Sequence, residues 1–85
     1  MQSDLPDGIA AMDVEVRLFA GLRANRFKSK VISLPDGATL GELVRQLGIP
    51  QQDVSLPLVN GQYSKMDRPL SADDVASLFP AVAGG

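Results

Sequence analysis

The sequence contains neither cysteine nor histidine among its 85 residues. Without cysteine, the chain has no disulfide framework, no thiolate metal ligand and no thiol nucleophile. Without histidine, it lacks the side chain that titrates near neutral pH, so acid–base catalysis would require a strongly shifted carboxylate, lysine or tyrosine. A chain this short can bury few such groups, and we therefore expect a protein that is not an enzyme by itself.

The chain also lacks a basic excess and a long apolar run. Its formal net charge is −2, which disfavours binding to nucleic acid through the phosphates. No stretch reaches the length of about 18 uncharged apolar residues that a membrane span requires, and the N-terminus is acidic where a signal peptide is basic. Oxygen ligands at a regular metal-binding spacing are missing as well. We expect a cytoplasmic protein that binds no membrane, metal or cofactor.

The composition is that of one small globular domain, with 45% apolar and 21% charged residues. Residues 1–12 contain turn-forming residues without periodicity and indicate a flexible leader. Regular patterns occupy residues 13–79, and we expect residues 80–85 to form a separate, flexible tail.

Two segments near the start alternate between apolar and polar residues, which is typical of strands. The first is "DVEVRLF", residues 13–19, where Phe19 places a large apolar group on the otherwise polar side. The second is "KVISL", residues 30–34, with Val31 and Ser33 on one face and Ile32 and Leu34 on the other. Because they are close in sequence, we expect them to pair as a hairpin.

The segment "LPDGATLGELVRQLGIP", residues 34–50, predicts a turn followed by a helix of about ten residues. Thr39 and Glu42 have the spacing of a capping box. Gly48 and Pro50 end the helix. Its apolar stripe consists of Leu40, Leu43, Val44 and Leu47.

The second half predicts further strands. "SLPLVNGQYS" reads as a strand, an Asn-Gly turn and a short return strand, and "VASLF", residues 75–79, is the last strand. The order β-β-α-β-(β)-β predicts an α+β fold in which a mixed sheet of four or five strands packs on one main helix. We expect the last strand to lie beside the first, parallel to it, in the centre of the sheet.

The chain ends in "LFPAVAGG", residues 78–85. Two glycines offer no side chain for packing, but they let a backbone enter a narrow site. Pro80 cannot donate to a sheet and so helps to end the last strand. The alternative interpretation is that small residues simply collect at a disordered terminus.

The motifs "VRLFAGLR", "LPDGATLGELVRQLGIP", "LVNG", "PLSADDVASLFP" and the final "GG" together resemble the MoaD/ThiS family of ubiquitin-like sulfur carriers, over residues 13–85. The "LFAGLR" and "LFP" elements are more similar to the small subunit of molybdopterin synthase, and the short helix to the thiamine carrier. One departure is Ala81, where the molybdopterin group often has a second proline.

The resemblance implies a β-grasp fold and a reactive C-terminal carboxylate on Gly85, with Gly84 giving it access. An adenylating enzyme of the ubiquitin-activating type would use ATP to form an acyl adenylate, and a sulfur donor would convert it to a thiocarboxylate. The sulfur acceptor would be a molybdopterin synthase large subunit or a thiazole synthase. Between these encounters we expect a monomer.

Alternation places Phe19 and Phe79 on the outer face of the sheet, where they are candidates for partner docking. Leu58, Tyr63 and Pro80 are further candidates, and ordinary packing is the alternative for all of them. The cations Arg17, Arg23, Arg26, Lys28 and Lys30 indicate a solvated face, or steering towards an acidic partner.

Three functions stay open. The first is a sulfur carrier for molybdopterin synthesis, that is for a molybdenum or tungsten cofactor, with thiamine synthesis as its second branch. The second is a ubiquitin-like modifier that is conjugated to lysines. The third is a β-grasp interaction module whose Gly-Gly end is incidental.

Overall fold

The first strand follows the predicted alternation but begins two residues earlier than expected. The computed structural model describes residues 10–81, and β1 occupies Ala11–Leu18. Met12 is 4% exposed and continues the buried series of Val14, Val16 and Leu18. Residues 11 and 12 therefore belong to the sheet and not to the predicted leader, of which residues 1–9 lie outside the described residues.

The second strand, β2 (Ser29–Pro35), pairs antiparallel with β1, as predicted. Val14 lies opposite Ile32, and Glu15 lies opposite Val31. Because successive side chains alternate across a sheet, Leu34 is buried on the inner face and Val31 is exposed on the outer one. The hairpin thus sets which face of the sheet forms the core.

The helix α1 (Leu40–Gln46) begins at the predicted capping box. The Thr39 hydroxyl accepts a hydrogen bond from the Glu42 amide at 3.2 Å, and the Thr39 amide donates to the Glu42 carboxylate at 3.0 Å. The α-helix has seven residues where about ten were predicted, because its last turn tightens. The Gly48 amide donates to the Arg45 carbonyl, three residues back, at 3.0 Å.

The remaining strands are β3 (Leu56–Val59), β4 (Gln62–Tyr63) and β5 (Val75–Phe79). Asn60 and Gly61 join β3 to β4 with φ of 53° and 83°, which is the geometry that an Asn-Gly hairpin turn requires. The bounds predicted for β5 are confirmed.

The five strands form one mixed sheet in the order β2-β1-β5-β3-β4. β1 and β5 run parallel in its centre, as predicted, and every other pairing is antiparallel. The helix covers one face of the sheet, where its buried residues Leu40, Leu43 and Val44 complete the core. Within residues 10–81 no helix has the length and hydropathy needed to cross a membrane. The fold is the expected α+β arrangement of a five-stranded sheet on one main helix.

Candidate functional site

The face of the sheet opposite α1 carries a row of apolar side chains. We call this surface the open face. Its apolar side chains alternate with the buried residues of the same strands and are at least partly accessible to solvent. They are Phe19, Val31, Leu56, Leu58, Tyr63, Val75 and Phe79. Partly exposed apolar surface of this kind is a candidate for binding another protein.

Phe19 and Phe79 are stacked at one end of the open face. Their ring centroids are 4.1 Å apart and the ring planes differ by 9°. Both side chains are half-buried, so each ring keeps accessible surface. The sequence placed both residues on the outer face, and the structure brings them into contact with each other.

The pairing of β1 with β5 creates this contact. Leu18 lies opposite Leu78 in the parallel register, and the Phe19 amide donates to the Leu78 carbonyl at 3.2 Å. The residue that follows each of these leucines in the chain is a phenylalanine on the outer face. Phe19 itself follows β1 with extended backbone, so it lies just beyond the strand in which it was predicted.

After Phe19 the chain turns back through Ala20, which has a φ of 51°, into a 3₁₀ helix at Ala20–Arg23. This turn places the Arg23 guanidinium carbon 5.6 Å from the centroid of the Phe19 ring. Arg23 Nε also donates to the Leu18 carbonyl at 2.7 Å. A cation above an aromatic ring is attracted to it, so Arg23 helps to orient Phe19. The sequence signal for this contact was an arginine four residues after an outward phenylalanine.

Leu56 extends the aromatic pair towards β3. It lies opposite Phe79 in the antiparallel register and is 43% exposed. Sequence reasoning selected Leu58 and missed Leu56, although both have the same strand parity. Leu58 is half-buried and lies between Ser77 and Tyr63, further from the aromatic pair.

The chain leaves the sheet next to the aromatic pair. The Phe79 carbonyl accepts a hydrogen bond from the Ser55 amide at 2.9 Å, and this bond holds the end of β5. Pro80, which is half-buried, has no amide hydrogen to continue the ladder. Gly84 and Gly85, the predicted reactive end, lie outside the described residues.

The sequence matches a known family of proteins. The profile of the ThiS family matches residues 16–85, which is most of the chain and includes the terminal glycines. A search of curated proteins finds no significant match.

Solved structures provide further similarity. A protein from Pyrococcus furiosus assigned as molybdopterin converting factor subunit 1 is 28% identical, with a TM-score of 0.69, over 84% of this chain and 99% of that one. SAMP1 from Haloferax volcanii is 25% identical, with a TM-score of 0.68, over 86% and 99%. Subunit 1 in the Helicobacter pylori complex of molybdopterin-converting factor subunits 1 and 2 is 28% identical, with a TM-score of 0.58, over 87% and 100%.

The family profile and the fold agree with each other. The mixed five-stranded sheet on one helix is the ubiquitin-like β-grasp arrangement, and these similar structures include small subunits of molybdopterin-converting factors. The chain therefore belongs to the ThiS family and has the β-grasp fold of the MoaD/ThiS sulfur carriers.

Proposed function

We propose that this protein is a sulfur carrier for molybdopterin synthesis, and that the carboxylate of Gly85 is its reactive group. An ATP-dependent adenylating enzyme activates the carboxylate, and a sulfur donor converts it to a thiocarboxylate. The acceptor is the large subunit of a molybdopterin synthase, which makes this chain the small, non-catalytic subunit. Membership of the ThiS family and the similarity to subunit 1 of molybdopterin-converting factors support this proposal.

The chemistry requires no catalytic side chain from the carrier. A chain-terminal carboxylate is ionised at neutral pH and is a poor electrophile. When a carboxylate oxygen attacks the α-phosphorus of ATP, pyrophosphate leaves and an acyl adenylate forms. Attack of hydrosulfide on the acyl carbon then expels AMP and leaves a thiocarboxylate. The absence of cysteine and histidine from the sequence is compatible with this division of labour.

The observation that carries the proposal is the place where β5 ends. This central strand stops at Phe79, beside the aromatic pair on the open face. Residues 80–85 can extend at most about 20 Å from that point, at about 3.3 Å per residue. A partner that covers Phe19 and Phe79 is therefore within reach of Gly85.

We assign the docking role to Phe79, Phe19, Leu58 and Pro80, with Leu56 as an addition from the structure. Aromatic residues are enriched in the centres of protein interfaces, and Arg23 lies over the Phe19 ring of this stacked pair. The role of Gly84 is to let the backbone pass through a narrow active-site entrance, which a Cβ atom would obstruct.

Intact mass spectrometry tests the central claim. The protein is incubated with the adenylating enzyme of its own organism, ATP and sulfide, and the expected product is heavier by one sulfur in place of one oxygen. Deletion of Gly85 should abolish this gain, because the new terminal carboxylate on Gly84 is one residue too short to reach the reacting phosphate. Lys65→Ala, at an exposed position outside the open face, keeps the tail and should react like the wild type.

Two results would contradict the proposal. Wild-type protein that gains no sulfur in the complete mixture would exclude a carrier role. A Gly85 deletion that gains sulfur as fast as the wild type would show that the length of the tail is irrelevant.

A second candidate function is a protein modifier. The similarity to SAMP1, a small archaeal modifier protein, favours it. In this case the same acyl adenylate is attacked by a substrate lysine, and an isopeptide bond forms as AMP leaves. Covalent adducts to other proteins in place of the thiocarboxylate would identify this function.

The identity of the sulfur acceptor distinguishes a carrier for thiamine synthesis from a carrier for molybdopterin synthesis. A carrier for thiazole formation would transfer its sulfur in the presence of a thiazole synthase and not of a molybdopterin synthase large subunit. The genes next to this one offer a second test of the same question. Cytoplasmic location and a monomeric state stay predictions, the second of which sedimentation would check.

A further inference from the structure

A cleft beside Phe19 is bordered by cations. It has a volume of about 290 Å³, and its walls include Arg17, Arg23 and Lys28 around the apolar Leu18 and Phe19. We call it the basic cleft. It adjoins the aromatic pair, because Phe19 lines the cleft and also stacks on Phe79. A protein that covers the aromatic pair would therefore border on the basic cleft as well.

The charges of the chain are strongly segregated. Residues 16–35 contain five basic residues and no acidic one, whereas the rest of the chain has three basic and ten acidic residues. The basic cleft is formed entirely from residues of the cationic segment. An extended polyanion would meet the acidic remainder of the surface, so the cleft is better suited to a single anionic group.

The guanidinium of Arg23 is fixed with donors to spare. Its Nε donates to the Leu18 carbonyl at 2.7 Å, and its guanidinium carbon lies 5.6 Å from the centroid of the Phe19 ring. Among residues 10–81 no acceptor binds its two terminal nitrogens, which can therefore serve an incoming group. A pre-oriented guanidinium is well matched to a carboxylate, which it can bind through two parallel hydrogen bonds.

Arg17 and Lys28 add two further cations at the walls of the cleft. Arg17 is paired with Glu15, which offsets part of its charge. Lys28 is exposed, and its side chain has no hydrogen-bond or ion-pair partner in the part of the chain that the structure describes. Lys28 is thus the cation whose charge can be altered with least effect on the fold.

We propose that the basic cleft receives the carboxylate of an acidic side chain of the sulfur-acceptor subunit, next to the apolar contact on Phe19 and Phe79. This inference rests on the proposed function and specifies its docking surface. The carboxylate binds between Arg23 and Lys28, and the apolar stem of the acidic side chain contacts the accessible part of Phe19. The paired contact fixes how the carrier is rotated about the aromatic pair, and so directs the tail towards the acceptor.

The test measures binding of the full chain to the molybdopterin synthase large subunit of the same organism, by calorimetry. Lys28→Glu should weaken binding about 10-fold, because it places a carboxylate where the partner's carboxylate binds. Lys65→Glu is the matched control, since Lys65 is exposed in the turn after β4 and the change in net charge is identical. It should change the affinity less than about 2-fold. At about 1 M salt, where the screening length is about 3 Å, the two variants should become similar.

Failure of the proposed acceptor and failure of the cleft assignment give different results in this experiment. A wild-type chain that does not bind the large subunit would overturn the proposed acceptor, and the cleft assignment with it. Wild-type binding with equal losses for Lys28→Glu and Lys65→Glu would overturn the cleft alone, because only net charge would then matter. Unchanged thermal unfolding of both variants verifies that neither effect comes from the fold.

Discussion

A double-mutant cycle on Phe19 and Phe79 tests the aromatic pair. The perturbation consists of Phe19→Ala, Phe79→Ala and the double variant. The two rings are stacked with their centroids 4.1 Å apart, yet they come from residues 60 positions apart in the chain. A measured coupling between them would therefore report the parallel pairing of β1 with β5 as well as the contact itself.

The geometry sets the expected size of the coupling. Stacked aromatic pairs contribute about 1 kcal/mol beyond the surface that they bury. Each ring is half-buried, so a single truncation should lower the free energy of unfolding by about 2 kcal/mol, below the cost of about 3–5 kcal/mol at fully buried sites. In a domain of this size, each kcal/mol corresponds to a shift in Tm of about 4–8 °C. The double variant should lose about 1 kcal/mol less than the sum of the single losses.

Urea unfolding followed by circular dichroism supplies the four free energies. Phe27 provides the matched control, because it is half-buried against the core and forms no aromatic pair with Phe79 among residues 10–81. In the cycle of Phe27→Ala with Phe79→Ala the losses should add to within about 0.5 kcal/mol. A coupling in the Phe19 cycle no larger than this control would refute the stacked arrangement.

Three further predictions concern the local structure that supports the sheet and the helix. Thr39→Ala removes the hydroxyl that accepts a hydrogen bond from the Glu42 amide, so the free energy of unfolding in urea should fall by about 1 kcal/mol. An unchanged urea midpoint would contradict the role of Thr39 as the N-cap of α1. The hydrogen bond from the Thr39 amide holds the pKa of Glu42 below its usual value. The stabilisation by the ionised Glu42 is therefore fully present above the pKa that Glu42 has in the unfolded chain, and it is lost as the pH falls through the lower pKa of the folded state. Stability measured against pH should show this loss in the wild type and less of it in Glu42→Gln. Asp74→Ala should cost about 2–3 kcal/mol, because the buried carboxylate accepts from the Ser71 amide at 2.8 Å and the Asn60 side chain at 2.9 Å. Hydrogen exchange at Ser71 should then accelerate, and unaltered exchange would contradict this bonding.

The elements with local signals were predictable from the sequence. The capping box of α1, the Asn-Gly turn and the alternation of β1 and β5 each depend on residues within a few positions of one another. The ends of elements were less predictable, since they depend on pairing. β1 begins at Ala11 because that residue lies opposite Pro35 at the end of β2. The helix is short because the Gly48 amide bonds to the Arg45 carbonyl, three residues back, and so ends the α-helical pattern. The spacing of the apolar residues does not predict this bond.

In the candidate site, too, some features follow from the local sequence and others depend on how the strands pair. An outward phenylalanine in β1 and another in β5 could be identified by strand parity alone. Their contact, and the addition of Leu56, required the strand order of the sheet. The position of Arg23 required the reversal at Ala20, a residue without the usual sequence signature of a positive φ.

The aromatic pair limits how the binding specificity of this protein can change in evolution. The rings of Phe19 and Phe79 stack on each other directly after the paired residues Leu18 and Leu78, and they also form the proposed docking surface, so a change at either should alter stability and binding together. Among the cations of the basic cleft, Arg23 and Arg17 form side-chain contacts, whereas the side chain of Lys28 has no hydrogen-bond or ion-pair partner among residues 10–81. Selection for a different acceptor would therefore act more freely on the cleft than on the pair. The specificity of the carrier should accordingly depend on Lys28, and its general affinity for partners on the two phenylalanines.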